Sequence, residues 1–511
     1  MRGRRSSLAS DRIRYLYSLA VQMSSPRGID RSTNASREMA EVAAHPRLAG
    51  FGFPGLTTIQ AKLPWLFLIY ALPSVFVLSI IMPPFQVADE AAHTERADQV
   101  SRGVFISPRI GGTVDGNWVA MTDLYQPMWF HPAVKETVEM ARQAMRLRWS
   151  SPQDNVNFQN TAQYGPFLYM PQVVGLLLAR LADIRLARSL VVTRVINGLT
   201  ACAVSFFALS ICRRGRALMF ATLLLPMTLS EFASVSQDAL LISLSIFAIA
   251  MASRILSGER TASTAEFAIF ASIVAATTMA RPPQFALALL TPSFFIRNDP
   301  AWRTKAAIAA MALVAVVIWM RILSGLTPAP GADSSLAGQF HLMLANPLLL
   351  PKVMIHTFAL NGGWLLKTVV GYLGWTDAIM PHWYYRSAAI VLTLALIAPG
   401  NAGPALWPGV LGLVTIIALT SVFSAALYIT WTALGSPTIN GLQGRYILPV
   451  LPLLAWAIPE WRTRLERILT PAWYGVLLFP LVTMAVTPLV IMERYYGSWQ
   501  SMSESLRMLL G

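Results

Sequence analysis

Long apolar runs separated by short polar and basic stretches organise this chain. Leu63–Met82 is the first, at about the 20 residues that a bilayer core asks of a helix. Val191–Ile211, Ala217–Leu229, Ala239–Ile255, Ala265–Ala280, Gln284–Ile296 and Ala306–Leu323 follow, then Ala388–Leu396, Ala405–Tyr428, Ile447–Ile458 and Trp473–Met492. The pattern predicts an all-α, polytopic membrane protein of about 11 transmembrane helices. Tyr164–Leu181 is also apolar, but it holds Pro166 and Pro171 and ends among Arg180, Asp183 and Arg185. It is expected to lie as an amphipathic helix in the outer interface.

Charge orients these runs. Only 13% of the 511 residues are charged and 55% are hydrophobic, against about a quarter charged in soluble domains. The net charge of +15 would otherwise suggest nucleic acid. Here the basic excess sits between the runs, at Arg213, Arg214 and Arg216, Arg254 and Arg260, Arg297, Arg303 and Lys305, and Arg462, Arg464 and Arg467. These loops belong in the cytoplasm by the positive-inside rule, so no nucleic acid partner is expected. Residues 1–62 carry Arg2, Arg4, Arg5, Arg12 and Arg14 and read as a disordered cytoplasmic tail, within which Met23 or Met39 are later candidate starts. The domain proper then runs 63–492, with a short tail at 493–511. Two large extracytoplasmic loops are expected at 84–163 and 324–386, the second with re-entrant helices near 347–372. Cys202 and Cys212 share one apolar helix and stand about 15 Å apart at the α-helical rise, too far for a disulfide.

With that orientation, the polar residues that sit oddly in an apolar chain fall on the outer side. Pro83-Pro84 ends the first run, and Asp89 and Glu90 open a helix on which His93 lies four residues after Asp89. Gln237-Asp238 occupies one short outer turn and Arg281 another, while Gln443-Gly444-Arg445-Tyr446 begins a later run. Five of the six histidines (His93, His131, His341, His356 and His382) also map outside. Each has a plainer reading: Asp238 as a helix cap, Arg281 reaching lipid headgroups, Arg445 paired with any nearby acid. Taken together they suggest one pocket. Its acids could hold a divalent metal or take a proton from a hydroxyl, and its arginines could neutralise a leaving phosphate. That combination suits group transfer from a membrane-embedded lipid phosphate to an acceptor hydroxyl.

These residues resemble a family of bacterial predicted membrane proteins, domain of unknown function 2142. The resemblance rests on Pro83–His93, on Tyr164, Pro166, Tyr169 and Pro171, and on Ser236-Gln237-Asp238. It continues through Leu373-Gly374-Trp375-Thr376-Asp377 with Pro381, and Gln443-Gly444-Arg445-Tyr446 with Pro449. Ala88 stands where the family usually has proline before the acids. The family in turn is similar to the GT-C glycosyltransferases, polytopic enzymes that use polyprenyl-phosphate sugars.

That similarity implies a GT-C-like fold in the bacterial inner membrane, with the N-terminus cytoplasmic. It implies an inverting transfer from a polyprenyl-phosphate sugar donor to an extracytoplasmic glycan or lipid acceptor in cell-envelope polysaccharide assembly. Asp89 would be the catalytic base and Glu90 its partner. Asp89 and Asp238 would face Mg or Mn if a divalent cation serves. Arg281 and Arg445 would contact the donor phosphate, and Gln237, Gln443 and Tyr446 would line the substrate site. His93 enters from its spacing alone. The rival readings are a transporter or flippase for lipid-linked glycans, and a non-catalytic membrane protein of envelope assembly.

Overall fold

In a computed structural model the described residues are 56–108, 110–258, 261–295, 299–324, 335–398, 406–458 and 471–510. The chain divides into two units, Met1–Gly55 and Leu56–Gly511, and the second holds every element below. Residues 1–55 of the expected tail lie outside the described residues. So do Arg260, Arg297, Arg462, Arg464 and Arg467, and 325–334 of the expected second loop.

Helix α1 (Leu56–Ile81) begins before the expected Leu63, so part of the expected tail is already helical. Pro83-Pro84 stops it, the chain turns through Phe85, and α2 (Glu90–Ser101) starts from Asp89. The loop that follows is a small layer of its own. Strand β1 (Gly111–Asp115) pairs antiparallel with β2 (Pro152–Asn157) around α3 (Gly116–Tyr125) and α4 (Val138–Arg146). A short α5 (Gln159–Ala162) and a 3₁₀ turn at Pro166–Tyr169 lead into α6 (Met170–Leu181). This helix doubles back on α7 (Leu186–Ile211), with Gly175 so near Thr193 that a Cβ there would lie 2.7 Å from the threonine Cα. Arg194 marks where α7 meets the end of α1, donating to Ser79 O and Met82 O at 3.2 and 2.6 Å. Deeper along the same pair, Trp65 meets Phe206 edge to face. The turns of α7 before Arg194 therefore reach past α1 and pair with α6.

Pro226 breaks the next segment into α8 (Arg216–Leu223) and α9 (Pro226–Phe232). Then come α10 (Asp238–Leu256) and α11 (Thr264–Ala280), the latter started by a Ser263–Glu266 capping box. A 3₁₀ helix covers Pro282–Phe294, and α12 (Trp302–Leu323) follows. Helices α13 (Leu336–Ala345) and α14 (Leu349–Val370) meet at a 105° bend. A two-residue hairpin, β3 (Tyr372–Leu373) with β4 (Ala378–Ile379), precedes α15 (His382–Ile397) and α16 (Leu406–Thr430). A second 3₁₀ helix covers Leu448–Ala457, then α17 (Ala472–Tyr495) and α18 (Trp499–Leu510), so the expected C-terminal tail is a helix and packs against α4.

Among the described residues six helices (α1, α7, α10, α12, α16 and α17) are long and apolar enough to cross a membrane, or seven if the bent α13–α14 pair is one span. The protein is an all-α membrane protein with two short sheets. This is fewer than the 11 spans expected, and the reason is local. Pro282, Pro283, Pro292, Pro449 and Pro452 cannot donate the bonds of an α-helix, so those two runs adopt 3₁₀ turns. Segments α11 and α15 are apolar but fall short of 18 residues.

Both 3₁₀ helices pack along α16 and α10, and each starts next to an arginine, Arg281 or Arg445. The second start is fixed by a close approach. Gly444 N donates to Thr368 Oγ1 at 2.7 Å, and a Cβ on Gly444 would stand 2.4 Å from Leu365 O and 2.5 Å from Val369 N. Replacing Gly444 with Ala should therefore push the Arg445 turn off α14 and cost about 1–3 kcal/mol, as overpacking does elsewhere. A lowered thermal unfolding temperature in detergent micelles checks this; an unchanged one would mean the contact yields freely.

Candidate functional site

Asp89 opens the site. It is the residue before the first turn of α2 and holds φ 63°, ψ 3°, a left-handed conformation that costs a non-glycine residue on the order of 1–3 kcal/mol. Three neighbours over-determine the turn that imposes it. Trp129 Nε1 and Trp375 Nε1 both donate to Phe85 O, at 3.0 and 3.1 Å, and Tyr495 OH donates to Gln86 O at 3.3 Å. Trp375 belongs to the Leu373–Asp377 motif, whose Asp377 is paired with Arg494 at 2.6 Å. Its Gly374 takes φ +62° and leaves no room for a Cβ beside Tyr495 OH. That motif thus acts as a clamp on the Pro83–Asp89 turn.

The Asp89 carboxylate meets Arg445 at 3.0 Å and accepts from Asn160 Nδ2 at 3.2 Å. The other arm of the Arg445 fork reaches Glu231 of α9 at 3.4 Å. Beside this triad Arg281 Nη2 pairs with Asp238 Oδ2 at 2.8 Å. The two cations share an aromatic wall. The Arg281 guanidinium lies 5.8 Å from the Tyr164 ring and 5.3 Å from the Tyr446 ring, and Arg445 lies 5.6 Å from Tyr446. Tyr446 is braced by a parallel stack on Phe423 of α16. His93, one turn along α2, is 2% exposed between Tyr164 and Tyr169, with Nδ1 at 2.6 Å from Tyr169 OH. Residues from about 355 positions of chain thus form one cluster, since Asp89 and Arg445 are in direct contact.

Three carboxylates face two guanidiniums, and they differ in access. The Asp89 side chain is 32% exposed, against 5% for Asp238 and 2% for Glu231. Asp89 is the acid an incoming molecule can reach. Burial pushes its carboxyl up, but Arg445, His93 and Arg281 outweigh that and hold it below the ordinary value. Burial holds the His93 imidazole down at about 4, against the pull of Asp238 and Asp89, so it is neutral at neutral pH. Several buried polar atoms here have no partner: Asp238 Oδ1, Glu231 Oε2, and the Nε of both Arg281 and Arg445. Each is a place for a further hydrogen bond.

A single model, that of the "Predicted membrane protein (DUF2142)" family, matches residues 72–454. The chain belongs to this family. No curated protein and no solved structure matches it.

Of the nine expected site residues of this DUF2142 protein, Asp89, Asp238, Arg281, Arg445 and Tyr446 come together, with His93 behind them. Gln237 is buried at the start of α10 and bonds Ala280 O at 3.4 Å; Gln443 lends its carbonyl to Tyr446 N at 3.2 Å. Glu90 is not brought into this cluster. It is fully buried, its carboxylate taken by Arg194 at 2.5–2.7 Å and by Val235 N at 3.0 Å. It ties α2 to α7 and to the loop before α10, right beside Asp89. Glu231, Tyr164, Tyr169, Asn160 and Arg194 were missed as site or support. A lone acid two residues past the Ala217–Leu229 run was the available signal for Glu231.

As for a divalent cation, no cluster of three or more histidine, cysteine, aspartate or glutamate residues stands ready among the described residues. The expected ligands Asp89 and Asp238 each hold an arginine where a cation would sit. The donor set does not suit a resident metal.

Two predictions separate the neighbouring acids. Glu90→Gln leaves Arg194 buried and uncompensated, and should cost about 3–5 kcal/mol, seen as lost yield and a lower unfolding temperature. Asp89→Asn, at a half-exposed position whose left-handed backbone asparagine tolerates, should leave both near normal. His93 makes a pH prediction. Its folded value lies below its ordinary 6.5, so the stability from burying it neutral is complete above pH 6.5 and drains away as the pH falls toward about 4. Thermal melts across that window should slope less in His93→Gln than in the parent; equal slopes would contradict the assignment.

Proposed function

We propose that this protein is a membrane glycosyltransferase of GT-C type, which moves a sugar from a polyprenyl-phosphate donor to a glycan or lipid acceptor at the extracytoplasmic face of the inner membrane. The observation that carries this reading is the pairing of Asp89, the most accessible acid of the cluster, with an arginine fork whose other arm meets the carboxylate of Glu231. A fork of this kind matches a phosphate as well as it matches a carboxylate. In the reaction the Asp89 carboxylate accepts the proton of an acceptor hydroxyl while that oxygen attacks the anomeric carbon. The bond from that carbon to the phosphate oxygen breaks, and the polyprenyl phosphate leaves from the opposite side with inversion. Arg445 and Arg281 meet the charge that develops on it. As Arg445 turns from Asp89 to the phosphate, it frees the carboxylate at the moment a base is needed.

The reading includes 11 crossings. They are the six long helices, the broken α8–α9 pair, α11, α15 and the two 3₁₀ helices. At about 2.0 Å per residue, 13 residues of 3₁₀ helix reach about 26 Å, close to the depth of a bilayer core. In this arrangement Asp89, Asp238, Arg281 and Arg445 sit at ends of spans on the outer side, where lipid headgroup and aqueous acceptor meet. Charges confined to span ends fit surface chemistry better than midplane transport.

The test uses purified protein in vesicles, a radiolabelled panel of polyprenyl-phosphate sugars and an envelope-glycan extract as acceptor. The parent should transfer label. Asp89→Asn should fold and lose at least about 100-fold in rate, as expected for removal of a general base. Normal rates in that variant would overturn the role of Asp89.

A further inference from the structure

The loop layer carries an apolar surface with no cover in the protein. After α2 the chain extends a finger, Gly103–Ile106, in which Val104, Phe105 and Ile106 are 37, 55 and 49% exposed, and Ile110 follows at 48%. Phe167, Met170, Val174, Leu177, Leu178 and Leu181 form an exposed stripe at helical spacing from the 166–169 turn along α6. The opposite side of α6 packs on α7 and α2, through Gly175 and the Arg180–Asp98 pair at 2.5 Å.

The finger is pinned at unusual expense. Arg96 is fully buried and, among the described residues, pairs with no carboxylate. Its guanidinium spends its donors on Val104 O at 3.1 Å, Phe105 O at 2.7 Å, Tyr164 O at 3.1 Å and Gln99 Oε1 at 2.5 Å. One nitrogen thus serves Phe105 and Tyr164 together, and Tyr164 is the ring under Arg281. The next residue, Gly165, packs against Met279 O at the end of α11 and the Trp319 ring near the end of α12. Helix α12 lies at the edge of the bundle, with only 6% of its apolar window buried. Finger and stripe therefore continue the lipid-facing rim at the level where these helices end. Arg102 and Arg180, both partly exposed, stand next to them in the chain, beside Gly103 and Leu181.

We propose that the Val104–Ile106 finger and the apolar stripe of α6 are seated in the acyl chains of the adjoining leaflet. The occupant is bilayer lipid. Continuity with the rim of α11 and α12 favours it, since a water-facing patch of this make-up would be a liability. Through Arg96 this seat fixes the height of Tyr164, and with it the site, relative to the membrane. Taken with the proposed function, the mouth of the site then opens sideways to lipid; the seating itself does not depend on that reading.

The experiment places single cysteines at Phe105, Ile106 and Leu177, and at the exposed Arg142 of α4 as a control. Each is labelled with an environment-sensitive fluorophore in the full-length protein, reconstituted in phosphatidylcholine–phosphatidylglycerol vesicles. The native Cys202 and Cys212 are buried and stay unlabelled. Spin-labelled lipid should remove most of the emission at 105, 106 and 177 and little at 142, with aqueous iodide giving the reverse. Labels at 105 and 106 that behave like the one at 142 would overturn the proposal. Arg96→Gln should release the finger and shift only the 105 and 106 signals toward water. No donor or turnover is involved, so a failure here leaves the transfer reading standing, and a failed transfer assay leaves this one.

Discussion

A guanidinium at the end of an apolar bundle must be paired, and how Arg445 meets that demand shapes everything near it. Its fork joins Asp89, at the head of α2, to Glu231 in the broken α8–α9 segment. Its position depends on Gly444 lying against the backbone of α14. Arg281 repeats the arrangement with Asp238 at the start of the other 3₁₀ helix. Both cations are held by rings, Tyr164 and Tyr446, which contribute area without adding charge. Three acids against two cations leave the cluster rich in acceptors, and of the three Asp89 is the accessible one.

Around this core the motifs divide into those that hold and those that act. The Leu373–Asp377 segment clamps the Phe85 carbonyl and keeps Asp89 in a strained conformation. The Glu90–Arg194 pair locks α2 to α7 without access to solvent. Arg96 pins the loop layer to Tyr164 by carbonyls alone. The strain at Asp89 is sustained by these fixed neighbours, the circumstance in which left-handed non-glycine residues persist.

Much of this was legible in the residues. The basic loops led to the expectation that Asp89, Asp238, Arg281 and Arg445 share one side, and in the structure they form one cluster of contacts. Adjacent acids were the weak point. Asp89 stands in a left-handed turn just before α2 and meets Arg445, while Glu90 opens the helix and meets Arg194. Sequence alone did not reveal which one turns inward. Arg194 sits inside an apolar run and Glu231 just past another, where nothing nearby in sequence suggests the partner 104 or 214 residues away. Prolines after Arg281 and Arg445 signalled turns, yet the long 3₁₀ continuation depends on packing against α16 and α10. The start of α1 at Leu56 followed from helical continuity that the polar tail concealed.

The account stands most directly on whether the arginine pair recognises a lipid phosphate. Calorimetric titration of the detergent-solubilised protein with a short polyprenyl monophosphate isolates that step from any chemistry. The parent should bind, and Arg281→Gln combined with Arg445→Gln should abolish the heat while the unmodified alcohol gives none with either. Equal binding of phosphate and alcohol, or binding that survives the loss of both guanidiniums, would contradict it.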